Sequence, residues 1–204
     1  MKKVIGLFLV VVIIPFFGFS QSIDNIDYIS PFYNGLAAIK QNSEWAFINE
    51  KGAIVIDFRD DLVITESPEG NFPVFKNDRC LIEAKQDGIS YFGYINTYGN
   101  TVIEPQYLNA RNFDNGVAIV LELFKEQVGR NKALGKNVVY DKYLEAVIDT
   151  NGTIKTYVSP KRVNVILDKD FLKAPPKITS KFISDSLYAI EGENKKWEII
   201  QANQ

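Results

Sequence analysis

FYNGLAAIKQNSEWAFINEKGAIVID, residues 32–57, reads as two short apolar runs, a tight turn and a third run. Asn34-Gly35 is a bend signal, and Leu36-Ala37-Ala38-Ile39 after it has the length of a strand. Trp45-Ala46-Phe47-Ile48 is the second run. Asn49-Glu50-Lys51-Gly52 then begins a turn with an Asx residue and ends it with glycine, the pattern of a type I turn whose glycine forms a G1 bulge. Ala53-Ile54-Val55-Ile56 leaves the turn, so a hairpin joins the second and third runs.

The same plan recurs along the chain. Phe75, Ile82 and Phe92-Gly93-Tyr94-Ile95-Asn96 match Phe32, Ile39 and Trp45 to Asn49, and Gly99 falls where Gly52 stands. Phe113-Asp114-Asn115-Gly116-Val117-Ala118-Ile119-Val120 repeats the opening a third time, and Ala146 to Gly152 repeats the turn. A fourth, half unit runs from Phe182 to Ile190 and through Lys196-Trp197-Glu198-Ile199-Ile200. The turn glycines Gly52, Gly99 and Gly152 are 47 and 53 residues apart, so insertions fall between strands, where a stacked β-repeat tolerates them. Phe58 to Asn71 is one such excursion, and Gly70 within it carries no repeat signal and should tolerate substitution. The expected fold is all-β: about three and a half hairpin or three-strand units, arranged like a propeller or a solenoid.

Trp45, Phe92 and Trp197 share one register, with Phe47, Tyr94 and Ile199 two residues further on the same strand face. Ala46 with Ile48 and Gly93 with Ile95 make the opposite face apolar too. Strands apolar on both sides are buried between layers, which predicts a stacked aromatic core.

Residues 1–20 stand apart from this domain. Lys2-Lys3 precedes an apolar run from Val4 to Phe17, and Gly18-Phe19-Ser20 supplies small residues before Gln21, so the sequence predicts a cleaved signal peptide and a β domain over 21–204. An uncleaved anchor is the alternative, which Pro15 and the short apolar run disfavour. The protein is therefore expected outside the cytoplasm, in the periplasm, at the cell surface or secreted, with no stable membrane span after cleavage. The chain carries 23 Lys and Arg against 25 Asp and Glu, and losing Lys2 and Lys3 makes the remainder more acidic still, which argues against nucleic acid as a partner. Cys80 is the only cysteine, so no disulfide can staple the fold; its register with Ala37 and Ala118 marks it as a small core residue.

The alternation of F-x-x-G-L-A-x-I, an aromatic-small-aromatic-Ile-Asn/Asp-x-x-Gly turn and a run ending in Ile103-Glu104-Pro105-Gln106-Tyr107 resembles the WG repeats, known for a Trp-Gly pair in a K-W-G-Y-I-D-x-x-G setting. Gly93 to Gly99 nearly reproduces that pattern. The pair itself is Trp45-Ala46, Phe92-Gly93, Glu145-Ala146 and Trp197-Glu198, so no unit carries it intact. The resemblance implies an all-β repeat protein of the kind common among bacterial exported proteins, usually without an assigned activity. It brings no catalytic residues.

The chain has no histidine, which removes Ser-His-Asp triads, Cys-His pairs and every histidine-containing zinc site, and one cysteine removes thiolate clusters. Gly129 to Asn137 has five residues between its glycines where a phosphate loop needs four, and Asn137 where that loop needs Ser or Thr. Asp149-Thr150-Asn151-Gly152 has a calcium-loop look but shares its register with the plain turns at Asn49 and Asn96. No cofactor or metal is expected. The enzymatic alternative is a secreted carbohydrate hydrolase with paired carboxylates from Asp57, Asp60, Asp61, Glu66 and Glu69. A passive envelope spacer is a third possibility.

The expected function is non-enzymatic binding of a protein or surface polymer. Leu121 to Glu145 is a long insertion between matching strands. It carries Lys125, Arg130, Lys132, Lys136 and Lys142 on an acidic chain, with Tyr140 and Tyr143 beside them, and these seven are the candidate binding residues. The structural alternative is a longer hairpin with a solvated tip.

Overall fold

The computed structural model of the chain describes residues 23–131, 135–158, 161–184, 187–192 and 194–201; the leader assigned to residues 1–20 lies outside them. The described chain has strands and turns and no helix. Unit 1 is an antiparallel meander of β1 (Tyr28–Tyr33), β2 (Leu36–Gln41), β3 (Glu44–Asn49) and β4 (Ile54–Arg59). A two-stranded excursion, β5 (Thr65–Ser67) and β6 (Gly70–Phe72), precedes unit 2, formed by β7 (Cys80–Gln86), β8 (Ile89–Ile95) and β9 (Thr101–Tyr107). Unit 3 contains β10 (Val117–Asn131), β11 (Lys136–Asp149) and β12 (Ile154–Tyr157), with β13 (Val163–Val165) further along the edge of β11. Unit 4 is β14 (Ser180–Ser184), β15 (Leu187–Glu191) and β16 (Trp197–Gln201).

Each unit has one more strand than the sequence pattern suggests. In unit 1 the lead strand is β1, with Ile29 opposite Ile39. Leu62 is the equivalent in unit 2, opposite Ile82, and Ala110 in unit 3, opposite Val120. These leads grow directly out of the preceding unit: the chain leaves β8 at Tyr107, and Leu108 N–H then donates to Leu121 O at 3.0 Å. One continuous run therefore closes one sheet and opens the next. The excursion at β5–β6 lies inside the lead of unit 2, at the place where β1 has a bulge between Ile29 and Phe32.

The turns follow from local chemistry. Asn34-Gly35, Asn77-Asp78 and Asn115-Gly116 each place two successive residues at positive φ, the conformation of a type I′ hairpin turn. Asn49, Asn96 and Asp149 open three turns with one bonding pattern. In each, the side-chain oxygen accepts two backbone N–H groups, and the N–H of Gly52, Gly99 or Gly152 donates to the backbone oxygen of the first residue at 2.9 Å. The Asp149 carboxyl is held below its ordinary range, chiefly by the Thr153 N–H. The calcium-like look of that turn is accounted for by these bonds.

Packing joins neighbours face to face. Trp45, Phe47 and Ile56 of unit 1 meet Leu62, Phe75 and Ile82 of unit 2; Phe92, Tyr94 and Ile103 of unit 2 meet Ala110, Phe113 and Val120 of unit 3. The third core joins Ile119, Leu121 and Val147 of unit 3 to Ile178 and Tyr188 of unit 4. No core cluster among the described residues joins unit 1 to unit 4, so the units form an open, solenoid-like stack. The same edge-to-face aromatic pair recurs, Phe47 on Phe75 at 4.8 Å and Tyr94 on Phe113 at 4.7 Å. Tyr94 also donates its hydroxyl to Arg111 O at 2.6 Å.

Three sequence expectations need correction. Trp197 and Ile199 hold the core register of Trp45 and Phe47 yet are 49% and 66% exposed, because no following unit covers them among the described residues. Gly70 is not a neutral loop position. Its φ is 132°, and a Cβ there would lie 2.4 Å from the Tyr28 hydroxyl, in a ring cluster that joins Tyr28 and Tyr33 to Phe72. The excursion is thus part of the first core, not a surface insertion between units. Gly93, the glycine of the repeat's aromatic-Gly pair, is required by proximity: a Cβ would lie 2.3 Å from Ile103 O on the adjacent β9.

Gly93→Ala and Gly70→Val are each expected to destabilise by about 1–3 kcal/mol through overpacking, whereas Gly129→Ala, with open space around it, should leave the denaturant midpoint unchanged. Equal midpoints for all three would contradict the packing. Burial pushes the Cys80 thiol from its ordinary 9.0 up to about 12. The folded chain keeps a proton that the unfolded chain loses above pH 9, so this contribution to stability is complete below pH 9 and falls as pH rises toward 12. Cys80 should resist alkylation in the native protein at mildly alkaline pH and react fully after denaturation; rapid native labelling would place the thiol elsewhere.

Candidate binding site

The long insertion is a continuation of the β10–β11 hairpin, paired from Val117 opposite Asp149 to Asn131 opposite Lys136 with a bulge between Gln127 and Gly129. Pleating sorts its side chains onto two faces. Leu123 and Tyr143 form one cross-strand pair and pack on the third core, while Phe124 with Lys142 and Glu126 with Tyr140 lie on the other face. Lys125 is exposed opposite Asp141, and Arg130 is exposed opposite Asn137. Lys136 pairs with Asn131 near the tip, and Lys132 lies outside the described residues. The seven candidate residues therefore do not converge on one surface: Tyr140 and Tyr143 look to opposite sides.

Their charge is partly spent within the protein. Lys142 forms an ion pair with Glu126, and Arg162, from the segment before β13, reaches the same carboxylate at 3.4 Å while lying 5.4 Å from the Phe124 ring centre. The hydrogen bond from Lys142 is the main reason that the Glu126 carboxyl is held below its ordinary range. Glu126, Phe124 and Arg162 had no repeat signal, since Arg162 comes from the segment before β13 and the other two lie within an insertion.

At the base of the hairpin, between units 3 and 4, is a cleft of about 510 Å³. Tyr143, Val163, Ile190 and Ile200 give it apolar walls, and Lys177 and Glu191 line it as an ion pair at 3.5 Å. Burial, and then the nearby Glu145 carboxylate, raise the Tyr143 phenol above its ordinary value, so it remains a neutral donor and acceptor. Glu145 is 6% exposed and occupies the tryptophan register of the repeat. Its carboxylate accepts Thr179 N–H at 2.7 Å, the Thr179 hydroxyl at 2.6 Å, Ser180 N–H at 2.9 Å and the Ser180 hydroxyl. Ser180 stands opposite Ile190, the register of Ile29, Leu62 and Ala110 in the other leads. An apolar contact in the first two interfaces has become a carboxylate clasp in the third.

Of the acids in the 57–69 segment, Asp61 is committed to a neighbouring side chain, held by Arg59 through two bonds of 2.5 and 2.7 Å. Glu145, Glu191 and Glu198 instead share the cleft. Among the described residues no group of three His, Cys, Asp or Glu could hold a metal ion, and no helix is long and apolar enough to cross a membrane.

Stacked antiparallel meanders, each buried against its neighbours, define an all-β repeat protein. Residues 25–45 and 92–122 match the family model of the WG containing repeat, which supports a WG-repeat family for these stretches. The first match spans the lead and second strands of unit 1 up to Trp45, and the second runs from Phe92 through the handover into β10. No curated protein and no solved structure matches the chain.

Glu145→Ala would strand the donors of Thr179 and Ser180, at a cost of about 1–3 kcal/mol or more. Thermal melts should show that loss, and hydrogen exchange should accelerate at β14 and β15 before the first two units. An unchanged melt would mean the clasp does not hold unit 4.

Proposed function

We propose that the protein is an exported, non-enzymatic β-repeat domain that binds a protein or surface polymer outside the cytoplasm through the unit 3–unit 4 cleft and the hairpin above it. The observation that carries this reading is the cleft itself, which combines apolar walls, a neutral phenol and an ion pair at a junction fixed by Glu145. Such a mixture suits a partner with both apolar and polar groups, as an extended peptide or a glycan has. Lys125 and Arg130 remain exposed on the adjoining ribbon and would add attraction for an anionic partner. Export is supported by the leader pattern of residues 1–20.

A second reading, a carbohydrate hydrolase, draws on the three glutamates that share the cleft. Glu145 is committed to four donors, so Glu191 and Glu198 would have to carry the chemistry.

The described side chains of the ribbon beyond Gln127 are exposed, whereas Leu123 and Tyr143 belong to the core. A variant that replaces Val128 to Val138 with Asn-Gly should therefore melt like the parent. In titrations against a panel of anionic and neutral glycans and strand-forming peptides, the parent should bind without cleaving, more weakly as salt rises. The shortened variant, which loses Arg130 and keeps Lys125, should lose part of the salt dependence, and Tyr143→Ala should weaken the salt-independent part. Cleavage abolished by Glu191→Gln or Glu198→Gln would replace the binding reading with the hydrolase.

A further inference from the structure

Antiparallel strands send alternate backbone groups to opposite edges, so the outer edge of β10 can be followed residue by residue. Up to Leu121 it is taken by the lead of unit 3. Asp114 and Val117 exchange backbone bonds of 2.8 and 3.1 Å, Arg111 N–H donates to Ile119 O at 3.0 Å, and Leu121 N–H donates to Asn109 O at 2.8 Å. Leu123, Lys125 and Gln127 continue that outward series. No strand pairs with them among the described residues, and β10 is the edge strand of its sheet. The lead cannot reach them, because the chain before Leu108 is committed to unit 2 through the pairing of Tyr107 with Phe92.

On the other side of the hairpin the edge is closed throughout. β12 pairs with β11 from Ile148 to Ala146, Val158 N–H donates to Glu145 O at 2.9 Å, and β13 pairs from Tyr143 to Asp141. The lower tier of unit 3 is therefore four strands wide: the lead, β10, β11 and β12. The upper tier has three, β10, β11 and β13, and ends in the unpaired edge of β10. Lys125 and Gln127 are exposed there, and the bulge between Gln127 and Gly129 closes the window by breaking the regular spacing.

Charge selects the occupant. From Glu122 to Lys142 the hairpin carries five lysines and arginines against three acids, on a chain that is acidic as a whole. Glu126 holds Lys142 and Arg162, whereas Lys125 stands on the open edge. A second copy of this edge would bring its own Lys125 and Arg130 to the contact, so like charge opposes self-pairing. We propose that the edge from Leu123 to Gln127 takes an extended, acidic peptide segment of a partner protein as the fourth strand of the upper tier. This rests on the reading that the hairpin is a binding surface, and it names the chemistry of the partner. Backbone bonds to Leu123, Lys125 and Gln127 supply affinity, and side chains supply choice: an acid opposite Lys125, and an apolar residue opposite the half-buried Phe124 on the other face.

The test uses the full chain and capped, labelled peptides of alternating glutamate and valine or alternating lysine and valine, followed by fluorescence anisotropy. The glutamate peptide should bind, more weakly as salt rises, and the lysine peptide should not. With glutamate opposite Lys125, the glutamate nitrogens face β10 and the valine nitrogens face away. Methylating the former should weaken binding about tenfold, and methylating the latter should leave it unchanged. Lys125→Gln and Lys125→Pro both remove the charge, but only proline removes the outward N–H, and it spares the ladder to β11. The proline variant should therefore bind about tenfold more weakly than the glutamine variant. If proline lowers the melt, the methylated peptides decide the matter on the parent chain. A parent that does not bind the glutamate peptide, equal binding of the two methylated peptides, or equal binding by two well-folded Lys125 variants would overturn the strand addition. Peptide binding kept in Lys125→Pro and lost in Tyr143→Ala would place the peptide in the cleft, overturning this inference while leaving the binding reading in place.

Discussion

The edge-to-face contact of Phe47 on Phe75, repeated as Tyr94 on Phe113, is the interaction on which the architecture rests. A four-stranded meander has two faces and too little chain to bury either by itself, so its stability must come from neighbours. The middle units meet that requirement on both sides: Cys80 and Ile82 point into the first core while Leu81 points into the second, and Ala118 and Ile119 divide the same way between the second and third. Handing one strand from sheet to sheet, as at Tyr107 to Leu108, keeps successive faces in register without a long connection. Polar groups then fasten the edges. Arg59 donates to Gly99 O at 3.1 Å and Arg79 to Thr150 O at 2.8 Å, each guanidinium reaching the third-strand turn of the next unit.

The turns were readable from sequence because their causes are local. Asn34-Gly35 and Asn115-Gly116 supply residues that accept positive φ, and Asn49, Asn96 and Asp149 carry the oxygen that their own backbone uses. The lead strands were not readable, since pairing of Leu62 with Ile82 spans an excursion and the matching Ile29 and Ala110 share little beyond being apolar. Gly70 escaped for the same reason: its constraint is the hydroxyl of Tyr28, remote in sequence and close only in the fold. Gly93 was visible as a repeat residue, but its cause, contact with the backbone of Ile103, required the structure.

The candidate site divides along the same line. An insertion in a repeat is conspicuous, and its long hairpin was anticipated; how its charges pair was not, because Arg162 comes from a segment 36 residues beyond Glu126 in sequence. Glu145 read as a unit that had lost its tryptophan. In the structure the loss is matched by Ser180, a hydroxyl where the other leads have Ile29, Leu62 or Ala110, and the buried carboxylate is satisfied by four donors. A buried charge is tolerable only with such compensation. That exchange makes the third interface polar at its centre, and the cleft lies beside it.

The hairpin itself has little to hold it in place. Beyond Gln127 the described side chains are exposed on both faces, and an isolated two-stranded ribbon is marginal in water, so its order must be set at its base. There β13 pairs with Asp141 to Tyr143, Arg162 covers Phe124, and Glu126 draws both Lys142 and Arg162. The pair of Lys142 and Glu126 is partly solvated, so its energetic worth is small, and its main effect is to fix which way the ribbon leaves the stack. The same residues that clamp the ribbon border Tyr143 and Val163 of the cleft. The base that aims the ribbon and the wall of the cleft are therefore one packed region.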